Sequence, residues 1–162
     1  MNLIVAVSSE WGIGYKNELL FRIREDLQRF RKLTLNKVVV MGHNTFKSLP
    51  DGKPLPRRVN IVLSRDVSLQ IPGVTVCNSL DALENILQEY NAQDVFVIGG
   101  EKIYNLLLDK CSTAYITKVD AKLPADTFMV NFDNLPDWTL TMEGAPMKSE
   151  NISYKYYVYK RS

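Results

Sequence analysis

The sequence contains few of the residue types that build metal sites and disulfide frameworks. Its 162 residues include one histidine and two cysteines, Cys77 and Cys111, which lie far apart in the chain. No Cys-x-x-Cys pair occurs, which excludes a Cys/His metal site with the usual ligand spacing. A single histidine also excludes any catalytic triad that needs a second one. Two isolated cysteines are typical of free, buried thiols in a cytoplasmic protein.

An excess of charge of one sign and long apolar runs are also missing. The 20 Lys and Arg residues nearly balance the 18 Asp and Glu residues, so the clustered basic surface of a nucleic-acid-binding protein is not expected. No apolar run approaches the roughly 20 residues of a membrane-spanning helix. The first residues lack the basic stretch of a secretion signal. We therefore expect a first strand near Met1, a cytoplasmic location, and neither nucleic acid nor membrane as a partner.

Neither common nucleotide-binding fingerprint, Gly-x-Gly-x-x-Gly or Gly-x-x-x-x-Gly-Lys-Ser/Thr, occurs in the chain. The composition is that of an ordinary globular protein, with 46% hydrophobic and 23% charged residues. The length suits one hydrophobic core. A single domain over residues 1–162 is therefore expected.

Strand-like and helix-like segments alternate along most of the chain. Short runs rich in Val and Ile predict strands at residues 3–7, 37–41, 59–63, 74–77, 95–98 and 114–119. Helices are predicted at residues 25–33, 45–49, 80–90 and 102–108, the third with Ser79 as its N-cap. The alternation predicts an α/β fold with a mixed, mostly parallel sheet of about eight strands and helices on both faces. Residues 138–143 and 152–160, with no helix between them, predict an antiparallel C-terminal edge.

Two predicted strands end in glycine turns that lead into helices. One strand ends at Gly99-Gly100, and another ends at Gly42 and is followed by a hydroxyl residue, Thr45. Glycine lets a ligand approach the backbone closely, and a helix N-terminus favours phosphate. In sheets of this type ligands bind outside the carboxyl ends of the strands. Two such turns therefore predict one ligand with several phosphates, although ordinary loop chemistry is the alternative.

An acidic residue lies in the apolar arc of the first predicted helix. On a helical wheel Asp26 falls among the apolar side chains Ile23, Leu27, Phe30 and Leu33. A carboxylate there is costly unless it is paired or bound. Asp26 is either a first-turn residue favoured by the helix dipole or a group that lines a pocket. In a pocket, desolvation raises its pKa, which suits an acid/base group or the partner of a cationic ligand.

Two further segments predict loops at a site. Residues 11–17 contain Gly12 and Gly14 and predict a mobile loop without regular structure, with an ordinary connection as the alternative. Residues 54–58 contain two prolines, followed by Arg57 and Arg58. One of these arginines is a candidate to hold an anionic group with two hydrogen bonds, although a pair of solvated charges is the alternative.

Taken together, a series of motifs resembles the dihydrofolate reductase family over nearly the whole chain. The matching segments are 4–7, 12–14 with Asn17, 25–27 with Phe30, 41–46, 54–58, 61–65, 97–100 with Tyr104, 116–117 with Asp120, and 125–128. The length is similar to that of single-domain bacterial members, and a fused thymidylate synthase is not expected.

The resemblance implies reduction of 7,8-dihydrofolate to 5,6,7,8-tetrahydrofolate with NADPH, which supplies one-carbon metabolism and thymidylate synthesis. It implies a monomer whose pocket can also take antifolate inhibitors. Asp26 would be the only ionisable group at the pterin and would promote protonation of N5. Thr117 would support that carboxylate through its hydroxyl group.

The resemblance also implies the binding residues. The pterin and nicotinamide would be walled by Ile4, Val5, Phe21, Leu27, Phe30, Leu55, Ile98 and Tyr104. Arg58, rather than Arg57, would hold the carboxylate of the glutamate tail. NADPH would be bound by Ala6, Ile13, Gly14, Asn17, Leu19, Gly42, His43, Asn44, Thr45, Leu63, Ser64, Arg65, Gly99, Gly100, Glu101, Lys102, Ile103 and Thr127. Residues 12–19 would form a closing loop, and the Gly99–Gly100 peptide would be cis.

Four positions depart from the family pattern. Leu20-Phe21 replaces the usual Pro-Trp, which removes an indole N–H donor near the acidic residue. Arg24 replaces a proline. His43 stands where many members have an arginine for the 2′-phosphate, and a neutral imidazole leaves Ser64 and Arg65 as the expected source of NADP selectivity.

Two other functions use similar features. A reductase acting on a ribosylamino-pyrimidine in riboflavin synthesis has a similar fold, but its substrate has neither a pterin edge for Asp26 nor a glutamate tail for Arg58. A non-catalytic nucleotide-binding module would not need Asp26 beside Gly99-Gly100. Loss of NADPH absorbance on mixing with dihydrofolate separates these functions.

Overall fold

The computed structural model describes residues 1–162 and confirms the α/β class. Its strands are β1 Asn2–Val7, β2 Gly12–Tyr15, β3 Glu18–Leu19, β4 Val38–Gly42, β5 Val59–Leu63, β6 Thr75–Cys77, β7 Val95–Gly99, β8 Thr113–Val119, β9 Thr127–Phe128, β10 Trp138–Glu143, β11 Met147–Ser149 and β12 Ile152–Arg161. Its helices are α1 Arg24–Thr34, α2 His43–Lys47, α3 Leu80–Leu87 and α4 Glu101–Leu107. Short 3-10 turns lie at Pro50–Gly52, Ala92–Asp94, Leu108–Lys110 and Phe132–Asn134.

The main sheet has the order β10-β12-β8-β1-β7-β4-β5-β6, with β11 paired to β12. Every pair from β8 to β6 is parallel. The pairs that involve β12 are antiparallel. The mixed sheet with an antiparallel C-terminal edge is therefore confirmed. β11 was not predicted, because its three residues directly follow the turn-rich segment 144–146 and are too few to show a period of two.

Helices cover both faces of the sheet because side chains alternate along its buried strands. Val38 and Val40 of β4 point into the larger core cluster, which includes Leu83 of α3 and Leu107 of α4. The intervening Val39 and Met41 belong to a second cluster with Phe46 of α2. On β8, Ile116 joins the larger cluster. Thr117 therefore faces the opposite side, where α1 lies.

Residues 11–17 differ from the sequence prediction. Strands β2 and β3 form a hairpin, and β9 pairs with β2, so the three strands make a second small sheet. The hairpin turns at Lys16 and Asn17, whose φ angles of 51° and 66° are left-handed. A Cβ on Gly14 would lie 2.7 Å from Oγ1 of Thr127. The expectation of a segment without regular structure is therefore wrong, because this glycine allows close strand packing.

Several smaller predictions are confirmed, and others need correction. The Ser79 hydroxyl accepts a hydrogen bond from the backbone N–H of Ala82 and caps α3 as predicted. Both cysteines are free and buried. The helix α3 ends before the predicted limit, and α2 begins directly at the end of β4. No helix of the structure is long and apolar enough to cross a membrane.

Candidate active site

The predicted site residues converge at one edge of the main sheet. Five parallel strands end at this edge, and each carries one of these residues at or near its carboxyl end: Ala6 on β1, Gly42 on β4, Leu63 on β5, Gly99 on β7 and Thr117 on β8. Because parallel neighbours end at the same edge, positions far apart in the chain become neighbours there. The sheet topology therefore assembles one candidate site from most of the segments that the sequence predicted.

Asp26 and Thr117 are in direct contact across this site. Asp26 lies in the first turn of α1, and the Thr117 hydroxyl donates a hydrogen bond of 2.6 Å to its Oδ1 atom. Desolvation raises the pKa of Asp26, while the Thr117 hydrogen bond and the positive charge of Arg29 act in the opposite direction. A half-buried carboxyl group with a raised pKa can hold a proton and exchange it at a ligand.

The apolar residues beside Asp26 form an open surface. The Leu27 side chain is 47% exposed, although the helical wheel placed it in the apolar arc. Phe30 is half-buried, and Ile23 is buried against Val119. An exposed leucine next to a half-buried carboxylate leaves apolar area for a flat ring ligand to cover. The helical wheel identified the apolar face of α1 correctly, but only part of that face packs into the protein core.

The two glycine turns predicted to bind phosphate lie against each other. A Cβ on Gly42 would lie 3.0 Å from Ile103 of α4, and one on Gly99 or Gly100 would lie 3.4 Å from the Thr45 hydroxyl. The Gly99–Gly100 peptide is cis, as predicted. Gly99 has a φ of 129°, a conformation that side chains rarely adopt. The missing side chain at Gly42 therefore lets α4 pack closely against the end of β4, and the turn after β7 lies beside the Thr45 hydroxyl of the turn after β4.

Tyr104 connects this region to the first strand. Its hydroxyl donates a hydrogen bond of 2.8 Å to the carbonyl oxygen of Ile4. Burial raises the pKa of Tyr104 far above its usual value, so the phenol stays neutral. Ile98 is half-buried and packs on the second core cluster. Val5, like Tyr104, belongs to the larger core cluster, and because it has no polar group on its side chain, it leaves mainly its backbone for a ligand.

Of the two candidate arginines, only Arg58 is held by the fold. Its Nε donates to the carbonyl oxygen of Pro56 at 3.0 Å, and its Nη1 donates to the Thr34 hydroxyl at 3.2 Å. Burial and then the charge of Arg31 lower the pKa of Arg58. Arg57 is exposed and has a left-handed φ of 61°. These contacts favour Arg58 as the oriented cation.

Asn60 is a supporting residue that the sequence interpretation missed. It is buried, and its Oδ1 accepts a hydrogen bond of 2.9 Å from the Leu55 N–H. Its Nδ2 donates to the carbonyl oxygens of Leu55 and Arg58 at 2.9 and 3.0 Å. These bonds fix the segment that carries both predicted substrate residues. A lone asparagine in the run Val-Asn-Ile-Val-Leu was the signal that could have identified it.

The residues considered for the 2′-phosphate of NADPH lie after β5 and at the start of α2. Ser64 and Arg65 follow β5, and Arg65 is exposed. Hydrogen bonds from Ser68 lower the pKa of Asp66, and the neighbouring His43 contributes in the same direction. The turn after β5 and the first residue of α2 are therefore near each other. His43, Asn44, Ser64 and Arg65 can thus contribute to one subsite, with Asp66 as an acidic neighbour that the sequence interpretation did not consider.

The remaining predicted cofactor residues lie on the small sheet and α4. Ile13 is buried in the larger core cluster, whereas Asn17 and Leu19 are exposed on the hairpin. Lys102 is exposed, and Thr127 pairs with Gly14. The Glu101 carboxylate accepts a hydrogen bond of 2.6 Å from the backbone N–H of Phe128. Glu101 is therefore bound to β9 through one oxygen of its side chain.

Comparison with known proteins agrees with this geometry. The family model described as dihydrofolate reductase matches residues 1–161. The dihydrofolate reductase of Buchnera aphidicola is 32% identical over 159 residues, which cover 98% of this chain and 93% of that protein. The enzyme of Staphylococcus aureus is 31% identical over 158 residues, covering 96% and 94% of the two chains. A bifunctional dihydrofolate reductase-thymidylate synthase of Paramecium tetraurelia is 34% identical, and the match spans only 33% of its length.

A solved structure has the same architecture. The structure described as dihydrofolate reductase from Enterococcus faecalis complexed with NADP(H) and RAB-propyl superposes with a TM-score of 0.88 at 27% identity. The superposition covers 99% of this chain and 95% of that one. Because the family model spans nearly every residue and two single-domain relatives above 30% identity align over almost their full length, the chain belongs to the dihydrofolate reductase family.

Proposed function

We propose that this chain reduces 7,8-dihydrofolate to 5,6,7,8-tetrahydrofolate with NADPH, using Asp26 as the only ionisable group at the pterin. The observation that carries the proposal is the Asp26 carboxyl group. It is half-buried, held at 2.6 Å by Thr117, and lies at the sheet edge where the glycine turns also end. No metal is required, since one carboxyl group and an apolar slot suit the chemistry.

Asp26 would bind the amino-pyrimidine edge of the pterin and assist protonation at N5. Opposite charges on the carboxylate and a protonated ring make a strong, short hydrogen-bonded pair. The raised pKa of Asp26 brings its protonation closer to neutral pH, where an acid/base group is most effective. Apolar side chains beside it, including the exposed Leu27, would be covered by the ring and would exclude water.

The glycine turns fit NADPH as a ligand. The turn after β7 lacks side chains at Gly99 and Gly100, and the turn after β4 lies against it, so an elongated phosphate-bearing molecule can lie on the backbone there. The Thr45 hydroxyl adjoins this surface, and Ser64 and Arg65 would hold the 2′-phosphate end. When bound, NADPH supplies the hydride for the reduction.

Arg58 would hold the glutamate tail of dihydrofolate. Its guanidinium group is oriented by Pro56 and by Thr34 at the end of α1. A planar guanidinium matches a carboxylate with two parallel hydrogen bonds. Asn60 would hold the backbone of Leu55 and Arg58 in the conformation that this contact needs.

A substrate comparison tests the proposal. The purified protein is mixed with NADPH and dihydrofolate, and the NADPH absorbance is followed, with each compound alone as a control. We expect absorbance loss only with both compounds. Loss with a ribosylamino-pyrimidine instead of dihydrofolate would show the riboflavin-type reductase, and NADPH binding without any reduction would show a non-catalytic module. Either result would overturn the proposal.

Replacing Gly100 with alanine should separate cofactor binding from folding. The nearest protein atom to the new Cβ would be Oγ1 of Thr45 at 3.4 Å, so the protein itself can accommodate the methyl group. A cofactor bound on this surface would collide with the methyl group. We therefore expect the affinity for NADPH to fall about 10- to 100-fold. Fluorescence titration with NADPH and a thermal unfolding curve check the two expectations. Unchanged affinity would remove Gly100 from the cofactor site.

Replacing Phe21 with tryptophan tests the departure from the family pattern. Phe21 packs beside the cluster of Ile23, Val119 and Tyr154, and it offers no hydrogen-bond donor near Asp26. An indole N–H would help to stabilise the ionised carboxylate, so we expect a lower apparent pKa for the reaction while activity persists. The measurement is the pH dependence of the reduction with deuterated NADPH, which confirms the step observed. Identical pH profiles for the wild type and Phe21→Trp would show that residue 21 contributes only to packing.

Three broader expectations remain proposals. We propose that residues 1–162 act as one domain, which the continuous main sheet supports. Two buried free thiols support a reducing, cytoplasmic location. A monomer would suffice, since every proposed site residue comes from one chain.

A further inference from the structure

A cationic side chain lies beside the candidate site and is used by nothing described so far. Arg29 follows Asp26 by three positions on α1, so the two side chains leave the same side of the helix. The Arg29 guanidinium carbon lies 4.0 Å from the centre of the Tyr156 ring and 5.8 Å from that of Tyr115. The helix therefore places a cation on the aromatic side chains of β12 and β8.

Arg29 has no direct acidic partner. None of the five ion pairs in the structure includes it. Its Nη1 atom is buried and has no hydrogen-bond partner. A partly buried cation without a carboxylate partner is costly, and stacking on phenol rings offsets only part of that cost. Its charge is therefore not neutralised locally and can act on other groups nearby.

The group on which it acts is Asp26. Thr117 and Tyr156 are direct cross-strand partners on β8 and β12, so their side chains lie next to each other beneath α1. Asp26 contacts the first and Arg29 contacts the second. The titratable or charged groups that face Asp26 are Arg29 from α1 and Tyr156 from β12. β8 contributes the Thr117 hydroxyl and, beneath Arg29, the phenol ring of Tyr115, whereas β1 has no titratable residue.

We propose that Arg29 is a positioning residue that stabilises the ionised form of Asp26 through space, with Tyr156 holding its guanidinium in place. The geometry carries the proposal, because Arg29 contacts Tyr156, Tyr156 is paired with Thr117, and Thr117 binds Asp26. The pKa directions of both titratable groups agree with it. Among the influences on the pKa of Asp26, Arg29 opposes the upward effect of desolvation. Burial raises the pKa of Tyr156 to about 12, the negative charge of Asp26 adds to that rise, and Arg29 counteracts it.

The charge of Arg29 affects how Asp26 pairs with a bound pterin. Apolar surroundings alone favour the neutral acid form of Asp26, which pairs poorly with a cationic ring. Arg29 restores part of the carboxylate character without occupying the ligand's place, because it contacts the rings beneath the helix. This function of Arg29 rests on the proposed reaction, whereas its effect on Asp26 does not.

The test compares three variants in the free protein. Arg29→Met removes the charge and keeps the length of the side chain, Arg29→Lys keeps the charge, and Lys32→Met removes a positive charge from an exposed position of the same helix. The titration of the Asp26 carboxyl carbon is followed by NMR, with Asp26→Asn to assign the signal. We expect the midpoint to rise by about half a pH unit or more in Arg29→Met. Arg29→Lys and Lys32→Met should stay near the wild-type midpoint.

Kinetics give the second readout. The high-pH limb of the dihydrofolate reduction profile should move upward in Arg29→Met by the same amount as the NMR midpoint, and should not move in Lys32→Met. A purely structural role would change the rate at all pH values without moving the limb. If Arg29→Met does not fold, Arg29→Gln replaces it. An unchanged Asp26 midpoint in a folded charge-neutral variant overturns the proposal.

The two proposals fail in different ways. If the NMR midpoint moves but Asp26→Asn keeps wild-type turnover, the coupling between Arg29 and Asp26 is supported and the catalytic role of Asp26 is overturned. If Asp26→Asn is inactive and the midpoint does not move, the catalytic role stands and the inference about Arg29 is wrong.

Discussion

Replacing Asp26 with asparagine is expected to lower turnover at pH 7 by about 10²- to 10⁴-fold, the usual contribution of a positioned acid/base group. The amide has nearly the same shape and its oxygen can still accept the hydrogen bond from Thr117. It cannot carry a negative charge or exchange a proton, so only the chemistry should be lost. Single-turnover absorbance measurements at saturating NADPH and dihydrofolate check the expected loss.

Two observations complete this test. Activity of Asp26→Asn should recover partly at low pH, where dihydrofolate arrives already protonated. NADPH affinity should equal that of the wild type, because the glycine turns are untouched. Wild-type turnover at pH 7 would remove Asp26 from the reaction and would leave the proposed mechanism without its acid/base group.

The same variant should also affect stability, with a sign set by the pKa shift. Desolvation raises the pKa of Asp26 above its ordinary value of 3.8, so folding costs free energy when this carboxyl group is ionised. That cost is absent below the ordinary value and grows as pH rises through the raised folded-state pKa. We therefore expect Asp26→Asn to be at least as stable as the wild type at pH 7, with the difference disappearing in acid. Urea unfolding across this pH range measures it.

Replacing Arg58 with lysine is expected to raise the KM for dihydrofolate about 10- to 100-fold. Hydrogen bonds to charged groups contribute about 1.5–3 kcal/mol each, and lysine cannot reproduce the two parallel bonds of a guanidinium. Lysine also loses the bond from Arg58 Nε to Pro56 that orients the side chain. The KM for NADPH should change little, since the glycine turns lie on other strands. Steady-state kinetics with each substrate varied in turn measure both constants.

Arg57→Lys is the matched control. Arg57 is the preceding residue and carries the same charge, but it is exposed and has no hydrogen bond that would orient it. Its replacement should leave both KM values near those of the wild type. If Arg57→Lys raised the dihydrofolate KM while Arg58→Lys did not, the two arginines would have to exchange roles.

Much of this molecule could be predicted from local patterns. The short Val- and Ile-rich runs predicted the main parallel strands, because burial on both faces requires nearly continuous apolar residues. The wheel position of Asp26 identified an unusual carboxylate, since neighbours three and four positions away share a helix face. The capping role of Ser79 followed from equally local chemistry. All of these features depend on residues within one or two helical turns of each other.

Other features depended on contacts between distant segments. The glycines at 12 and 14 indicated a loop, but the partner that makes them part of a sheet is β9, more than a hundred positions later. Asn60 gains its role only when the chain folds back to Leu55 and Arg58. Val5 was predicted to line the pterin pocket. Because side chains alternate between the two faces of β1, the Val5 side chain lies in the larger core cluster.

The sequence by itself determined the fold class, the acidic residue and the glycine turns, because periodicity and backbone freedom are properties of short segments. The residues alone left Arg57 and Arg58 as alternatives and the family resemblance implied Arg58, but only the tertiary structure supplied the physical reason, which is the contact of Arg58 with Thr34 at the end of another element. It also placed Arg29 on Tyr156 and thus beside Asp26. Electrostatic effects act through space and depend on desolvation, so the pKa of Asp26 depends on its burial and on groups from α1 and β8 that no local pattern brings together.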